Sequence, residues 1–433
     1  MRSEATSCYF LGEEPKKLTV PFFQRRYVWE EANWRELLES LEPDNATKAF
    51  LGSVIIKRVK ESKPSEGIII DGQQRITTLS ILMKSIYDII RKKEMAQSCQ
   101  EDDDESEYES IMSTLKTTLF YRIYDSDKFK ESSIKIQHSR VDKEAYECII
   151  NTGFKNKDYI PDDVQKKYED SKIMQCYIFF MKTLKEQPIE YLKKLHDSMY
   201  SKEDRILVLI ELGDGDVNEQ TIFDTINRAG VRLTTSDIVK NNIFKQLLDL
   251  AKTDNEKNDI CKLYDDKWEK LFYSNQVDDK NNWYKVRSFG NVQRTNLDFI
   301  LYCVACIKWG NGEKKEIFSN LESVYLKNTE KYDMEKLIKL VEEINEYAYI
   351  FNKYVLEFQN NLASEDEVEI FKYNEHVRRL LLILEKYGVQ MFYPYVLMRI
   401  RDTNSNFKEP QLIMDFRSLE TYIVRRRIAR KST

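Results

Sequence analysis

The 433-residue chain is poor in the residues that break helices. It has 12 glycines and 8 prolines, about 3% and 2% where averages lie near 7% and 5%. That scarcity excludes collagen-like and linker-rich chains and argues against an all-β architecture, whose short strands need frequent turn residues. Histidine is scarcer still, with only His138, His196 and His376, none of which has a second histidine at ligand spacing. The seven cysteines are odd in number and scattered. Only Cys303 and Cys306 show CxxC spacing, inside the apolar stretch FILYCVACIKW, where an i, i+3 pair reads as one buried helix face rather than a metal site. No apolar run reaches the ~18–20 residues of a membrane span. The N-terminus, MRSEATSCYFLGEEPKKL, lacks the apolar core of a signal peptide, so a cytoplasmic protein without membrane contact is expected. Global attraction for nucleic acid is excluded as well: 68 basic and 73 acidic residues leave a net charge of −5, and any such binding must use local patches.

What remains is apolar and largely helical. At 42% hydrophobic the chain can fill two or three packed units of ~100–200 residues. The first 35 residues, including LTVPFFQRRYVWEEANW, read as an extended arm with a helix starting near Glu31. Two β-branched runs follow, AFLGSVIIKRV at 49–59 and Ile68, Ile69 and Ile70, separated by polar turn residues at 63–67, which is a strand pair. After Asp71 the apolar residues Ile76, Leu79, Leu82, Met83, Ile86 and Ile89 recur at three- and four-residue steps, the period of a helix. Residues 106–200 are mostly helical, DRILVLIEL from 204 reads as a buried strand, and a helix capped by Asn218 is expected to stop at Gly230. Thr234 to Asp237 form a capping box for the next helix, and only helices are expected from 260 onward. The acidic run EDDDESEYE at 101–109 reads as a solvated loop, because like charges repel.

The stretch IIIDGQQRITT concentrates chemistry at a junction between a buried strand and a helix N-terminus, where unpaired N–H groups and the dipole favour an anion. Gly72 lets a phosphate approach the backbone, Arg75 can fork onto its oxygens, and Thr77 and Thr78 can add hydroxyl donors. Gln73 and Gln74 can orient a base, sugar or attacking water. Asp71 cannot bind phosphate directly and is left to hold Mg²⁺, order a water or cap the helix. The alternative is that Asp71 is only a cap and its neighbours face solvent. No GxxxxGK[ST] motif occurs, so the cradle is not a P-loop.

DGQQRITTL, preceded by VPFFQRRYVWE and FLGSVII and followed by IFDTINRAGVRLTTSDIVKNNIF, resembles the N-terminal nucleotidase family of GmrSD-type modification-dependent restriction enzymes. FYP at 392–394 and YIVRRRI at 422–428 extend the resemblance toward the end of the chain. It implies an α+β fold: a small ParB- and sulfiredoxin-like mixed-sheet domain with helices, followed by a mainly α-helical C-terminal domain. The expected boundaries are 1–255, with a core at 15–95 completed by 200–250, and 256–433. It also implies binding and hydrolysis of a nucleoside triphosphate with Mg²⁺, coupled to recognition of modified, commonly phage, DNA. By this resemblance Asp71, Gly72, Gln73, Gln74 and Arg75 form the nucleotide motif, with Asp71 the metal ligand and Thr77 and Thr78 in the first helical turn. Gln24, Arg25, Tyr27 and Trp29 match the QRxYxW block beside the pocket; the competing reading of Tyr27 and Trp29 is that they are core aromatics clamping the arm, more so for Trp29 than for Tyr27. Asn227, Arg228, Asp237 and Lys240 are candidates to complete the pocket, or else helix-end and capping residues.

Many members continue into an HNH-type nuclease domain built on histidine ligands. With only three isolated histidines here, such a nuclease is expected on a further part of the chain, on a separate subunit, or not at all, and the helix ending in Arg425, Arg426, Arg427, Arg430 and Lys431 suggests a chain cut from a longer one. Arg26, Arg425 and Arg426 are the DNA-binding candidates. Their competing role is ion pairing with acids such as Asp415 and Glu420. The rival to an NTPase is a nucleotide-sensing, modified-DNA-binding specificity subunit without turnover. Redox chemistry of the sulfiredoxin kind fails because no cysteine lies in or next to DGQQR. A homo-oligomer is left open.

Overall fold

The computed structural model describes the chain apart from residues 1, 43–49, 60–61, 98–104, 126–127, 139, 155–159, 161, 202–204, 214–233, 274–281, 290–291, 311–313, 358–374 and 430–433. The fold is α+β, and it divides into two compact units, Met1–Arg232 and Leu233–Thr433. The division falls earlier than the expected boundary at 255, because the helix Thr235–Leu250 packs inside the second unit, where Asn242 Nδ2 donates to Thr329 Oγ1 at 3.1 Å.

In the first unit, strands β1 (Arg2–Thr6), β2 (Lys17–Thr19), β3 (Gly52–Val59), β4 (Glu66–Asp71), β7 (Ile136–Gln137) and β8 (Leu207–Leu212) form one mixed sheet in the order β1-β8-β3-β4-β2-β7. β5 (Phe120–Asp125) and β6 (Lys128–Ile134) form a separate hairpin. β3 pairs antiparallel with β4, while β2 runs parallel to both β4 and β7. The C-terminal ends of β2, β4 and β7 and the N-terminal end of β3 therefore lie along the same edge of the sheet. The expected strand pair, the helix from Glu31 (α1, Glu31–Leu41) and the late strand β8 are all present. β1, β2 and the β5–β6 hairpin were not expected: they are short, and Lys17–Thr19 gains its place from pairing on both sides, which no local pattern encodes.

Helix α2 (Gln73–Gln97) runs through the core, with Ile76, Leu79, Ile81, Leu82, Met83, Ile86 and Ile90 buried. It is covered all round by neighbours that include α3 (Glu105–Leu119), α4 (Arg140–Asn151), α6 (Lys172–Leu184) and α7 (Ile189–Tyr200), with α5 (Asp162–Lys167) between α4 and α6. Its polar residues must then find partners inside. Ser80 Oγ accepts from Tyr146 at 2.8 Å, Lys84 pairs with Asp88, and Asp88 accepts from Tyr177 at 2.8 Å. Burial draws the Lys84 pKa down, and Asp88 pulls it back. The acidic run at 101–109 is not wholly loop, because α3 begins at Glu105.

The second unit is mainly helical around Trp268, Phe272, Phe299, Phe351 and Tyr393. Its hairpin, β9 (Val286–Phe289) with β10 (Val292–Thr295), corrects the all-helical expectation. The hairpin carries Arg287 into the core, where its guanidinium lies 5.6 and 5.3 Å from the Phe299 and Phe351 rings and Nη1 meets Glu385 at 2.7 Å. Among the described residues no helix is long and apolar enough to cross a membrane.

Lys135, between β6 and β7, is buried, and its Nζ donates to the Glu13 carbonyl at 2.7 Å. Burial, reinforced by the nearby charges of Lys16 and Arg58, lowers its pKa to about 7. Between about pH 7 and the ordinary lysine value the unfolded chain therefore holds more protons than the folded one, so stability contributed here rises with pH. Lys135→Met should flatten this rise, by up to about 1.4 kcal/mol per pH unit. Urea titrations of both proteins at pH 7, 8 and 9 check it; parallel pH profiles would contradict it.

Candidate functional site

β4 ends at Asp71, and the chain must turn at once to begin α2. Gly72 makes this turn at φ +88°, and a Cβ there would lie 2.9 Å from the Ser53 carbonyl oxygen and 3.1 Å from Val54 Cα. Only glycine fits a backbone so close to β3. The first i→i−4 bond of α2 is Ile76 N–H to the Gly72 carbonyl at 3.0 Å, so the N–H groups of Gln73, Gln74 and Arg75 point out of the helix end.

A second glycine, Gly52 at φ +111°, faces this turn from the start of β3. A Cβ there would lie 2.7 Å from the Arg75 Cζ. Its absence lets the guanidinium lie flat on the strand, where Arg75 Nη1 donates to the Ser53 carbonyl at 2.5 Å. Burial raises the Asp71 pKa, and Arg75, the Gly72 N–H and Arg25 hold it back. Burial lowers that of Arg75, and Asp71 opposes the shift. Both side chains stay partly open to solvent.

The arm lies across the same helix end and is held there by amides. Gln74 Oε1 accepts the Val28 N–H at 2.8 Å while its Nε2 donates to the Arg26 carbonyl at 3.1 Å, satisfying the arm's backbone as a neighbouring strand would. Gln73 Nε2 donates to the Arg25 carbonyl at 3.0 Å, and Gln24 Nε2 to the Ile70 carbonyl at 3.3 Å. Tyr27 is buried. Its N–H donates to Asp142 at 2.7 Å, and its hydroxyl meets Thr78 Oγ1 at 2.6 Å and accepts from Trp34 Nε1 at 2.8 Å.

These contacts divide the residues expected from sequence. Asp71, Arg75, Gln24, Arg25, Arg26 and Trp29 keep partial exposure at this edge of the sheet. Gln73, through its Nε2, and Gln74, through both ends of its amide, hydrogen-bond the arm's backbone and so clamp the arm. Tyr27, Thr77 and Thr78 pack inward: both threonines are fully buried, and Thr77 Oγ1 meets His138 Nε2 at 3.1 Å. Desolvation in the interior outweighs any gain from leaving such hydroxyls unpaired.

His138, whose sequence context reads as a surface or helix-face position, instead follows β7 into this region. Its ring centroid lies 4.4 Å from that of Tyr146, and burial pulls its pKa down to about 3, so it is neutral at pH 7. Gly52 was also missed as a site residue, and its signal was the FLG of FLGSVII. Asn227, Arg228 and the Gly230 turn lie outside the described residues.

Asp237 and Lys240 belong to the second unit. Asp237 completes the capping box with Thr234, and Lys240 Nζ reaches Asp237 Oδ1 and the Tyr273 hydroxyl, both at 3.3 Å. The ion pairs expected for the C-terminal arginines belong to others: Asp415 pairs with Arg399 and Glu420 with Arg379, each at 2.9 Å.

Among the described residues no group of three or more His, Cys, Asp or Glu could cage a metal ion. A single carboxylate such as Asp71 at a helix N-terminus fits the donor chemistry of Mg²⁺, which binds through one or two carboxylates and completes its shell with substrate and water. With that geometry in view, the model of the GmrSD restriction endonuclease N-terminal domain matches residues 10–244, more than half of the chain. The chain belongs to this family. As a GmrSD member it is a component of a restriction system, with the involvement of DNA that this entails. Comparison with curated protein sequences finds no match.

Gln74→Leu keeps the side-chain volume but strands the Val28 N–H and the Arg26 carbonyl. It should cost about 1–3 kcal/mol, at about 0.5–1.5 kcal/mol for each of the two part-buried hydrogen bonds lost. Chemical denaturation measures this, and a loss below 0.5 kcal/mol, taken as about the noise of surface substitutions, would remove the clamp from the account.

Proposed function

We propose that this chain binds and hydrolyses a nucleoside triphosphate as the nucleotide-dependent component of a DNA-modification-dependent, antiphage restriction system. The observation that carries the reading is the Asp71–Arg75 pair, held half-open at a helix N-terminus by two glycines that could not bear side chains. Mg²⁺ entering with the nucleotide would be held by Asp71 and would neutralise charge on the phosphates.

The chain's own groups supply the remainder. The outward N–H groups of Gln73, Gln74 and Arg75 receive phosphate oxygens, aided by the helix dipole. Arg75, already immobilised on Ser53, stabilises charge on the transferring phosphoryl group without paying to reorganise. Arg25 and Arg26 approach from the arm, whose backbone the glutamines fix, and Trp29 offers an aromatic face for the base. Asp71 has its affinity for a proton raised by burial, which suits it to accept a hydrogen bond from the attacking water. Phosphodiester cleavage falls to a nuclease domain or subunit outside this chain. The three histidines stand apart, on Thr77, on Asp197 and on Arg379.

Arg75→Lys keeps the positive charge opposite Asp71 but loses the fork. It should lower steady-state phosphate release about 10²–10³-fold, the usual cost of one transition-state donor, with the circular dichroism spectrum unchanged. Turnover within threefold of wild type would sink the assignment. Purified chain with Mg²⁺ or Mn²⁺ should leave modified and plain phage DNA uncut, and metal-dependent cleavage would show a nuclease centre within it.

A further inference from the structure

The end of the helical unit carries a second surface that the nucleotide site does not use. The helix His376–Lys386 stops at Gly388, whose φ is +64° and whose Cα faces open space. The chain then runs from Tyr387 to Phe392 beneath the last two turns of the helix Pro410–Ile428. Tyr387, Met391 and Tyr422 are 40%, 53% and 46% exposed, a high value for aromatic rings that could have packed inward. Each tyrosine carries an arginine: Arg427 Cζ lies 5.6 Å from the Tyr387 centroid and Arg426 Cζ 5.4 Å from that of Tyr422. Phe392 meets Tyr422 edge-on at 6.2 Å, so the turn touches the C-terminal helix at both ends, through Arg427 on Tyr387 and Phe392 on Tyr422, and the exposed rings form an aromatic belt. In the same turn Gln390 Oε1 is buried without a hydrogen-bond partner.

The charge of this belt is unbalanced. The acids of the C-terminal helix are spent elsewhere, Asp415 on Arg399, Glu420 on Arg379, and Glu409 on the helix N-cap. Arg417, Arg425 and Arg427 are left exposed on a chain whose net charge is −5. A concentrated positive end on an acidic chain selects a polyanion, and exposed tyrosines beside arginines select one whose flat faces are available. A duplex hides its base faces, whereas a single strand presents them for stacking.

We propose that the Tyr387–Phe392 turn and the last two turns of the C-terminal helix bind single-stranded nucleic acid, with unpaired bases stacking on Tyr387 and Tyr422 and phosphates on Arg425 and Arg427. This deepens the reading that the chain works on DNA and rests on it: the partner becomes an opened strand rather than an intact duplex.

Fluorescence anisotropy with a labelled 12-nucleotide single strand and the duplex of the same sequence tests this on the full chain. Nucleotide and metal are left out, so that failure of hydrolysis at the Asp71 cluster cannot affect the result. The single strand should bind more tightly than the duplex. Tyr387→Ala and Tyr422→Ala should each weaken it at least about fivefold, and Tyr→Phe at either position should restore it. Arg425→Gln and Arg427→Gln should each lower the log–log salt slope by about one unit or slightly less. Equal affinity for both oligonucleotides with no effect of the tyrosine variants would overturn the proposal while leaving a charge-driven DNA face. Absence of binding to either oligonucleotide would overturn it outright.

Discussion

The approach of the first turn of α2 to the start of β3 is the constraint around which the first unit is arranged. Ser53 and Val54 come so close to Gly72, and Gly52 so close to Arg75, that neither position has room for a Cβ. The two glycines bring a helix N-terminus, a strand start and a guanidinium into contact that van der Waals radii otherwise forbid. Both glycines adopt positive φ, so the close approach and the backbone conformation demand the same residue twice. With the helix end set there, Asp71 and Arg75 become neighbours in a half-buried place, and the arm can cross the opening within reach of Gln73 and Gln74.

Burial then sorts the polar residues of the motif. A helix covered on all sides leaves Thr77, Thr78, Ser80, Lys84 and Asp88 no solvent, and each is satisfied by a core partner such as Tyr27, His138, Tyr146 or Tyr177. Only the open end of the helix retains groups able to meet a ligand. The same motif thus does two jobs: Gln74, Thr77 and Thr78 fix the arm and the core, and Asp71 and Arg75 stay at the half-open end of the helix. Their opposed charges limit what burial costs either one, because each offsets part of the other's desolvation.

Much of this arrangement was legible from pattern. The triple isoleucine, the glycine and the change to a helical period placed β4, the turn and α2 correctly, and Thr234 with Asp237 marked the next helix start. The split between half-open and inward-facing residues was not legible, because Gln74 and Arg75 look equally polar in a string, and only the crossing of the arm over Gln74 and the seat of Arg75 on Ser53 distinguish them. β2 and β7 were missed for a related reason. At three and two residues they carry no period of their own and exist through pairing with β4 and with each other. His138 was misjudged with them, since its place beside Thr77 follows from β7 joining the sheet.

The central claim is that Arg75, seated on Gly52, is the chain's main phosphate-binding group. It is tested most directly by calorimetric titration of a non-hydrolysable nucleoside triphosphate analogue into the wild type and Gly52→Ala. The added methyl group would fall 2.7 Å from the Arg75 Cζ and so press on the guanidinium. Displacing the guanidinium should lower affinity at least about tenfold, equivalent to roughly 1.4 kcal/mol, in a variant that still unfolds cooperatively. Affinity within twofold of wild type, with the fold intact, would contradict the account.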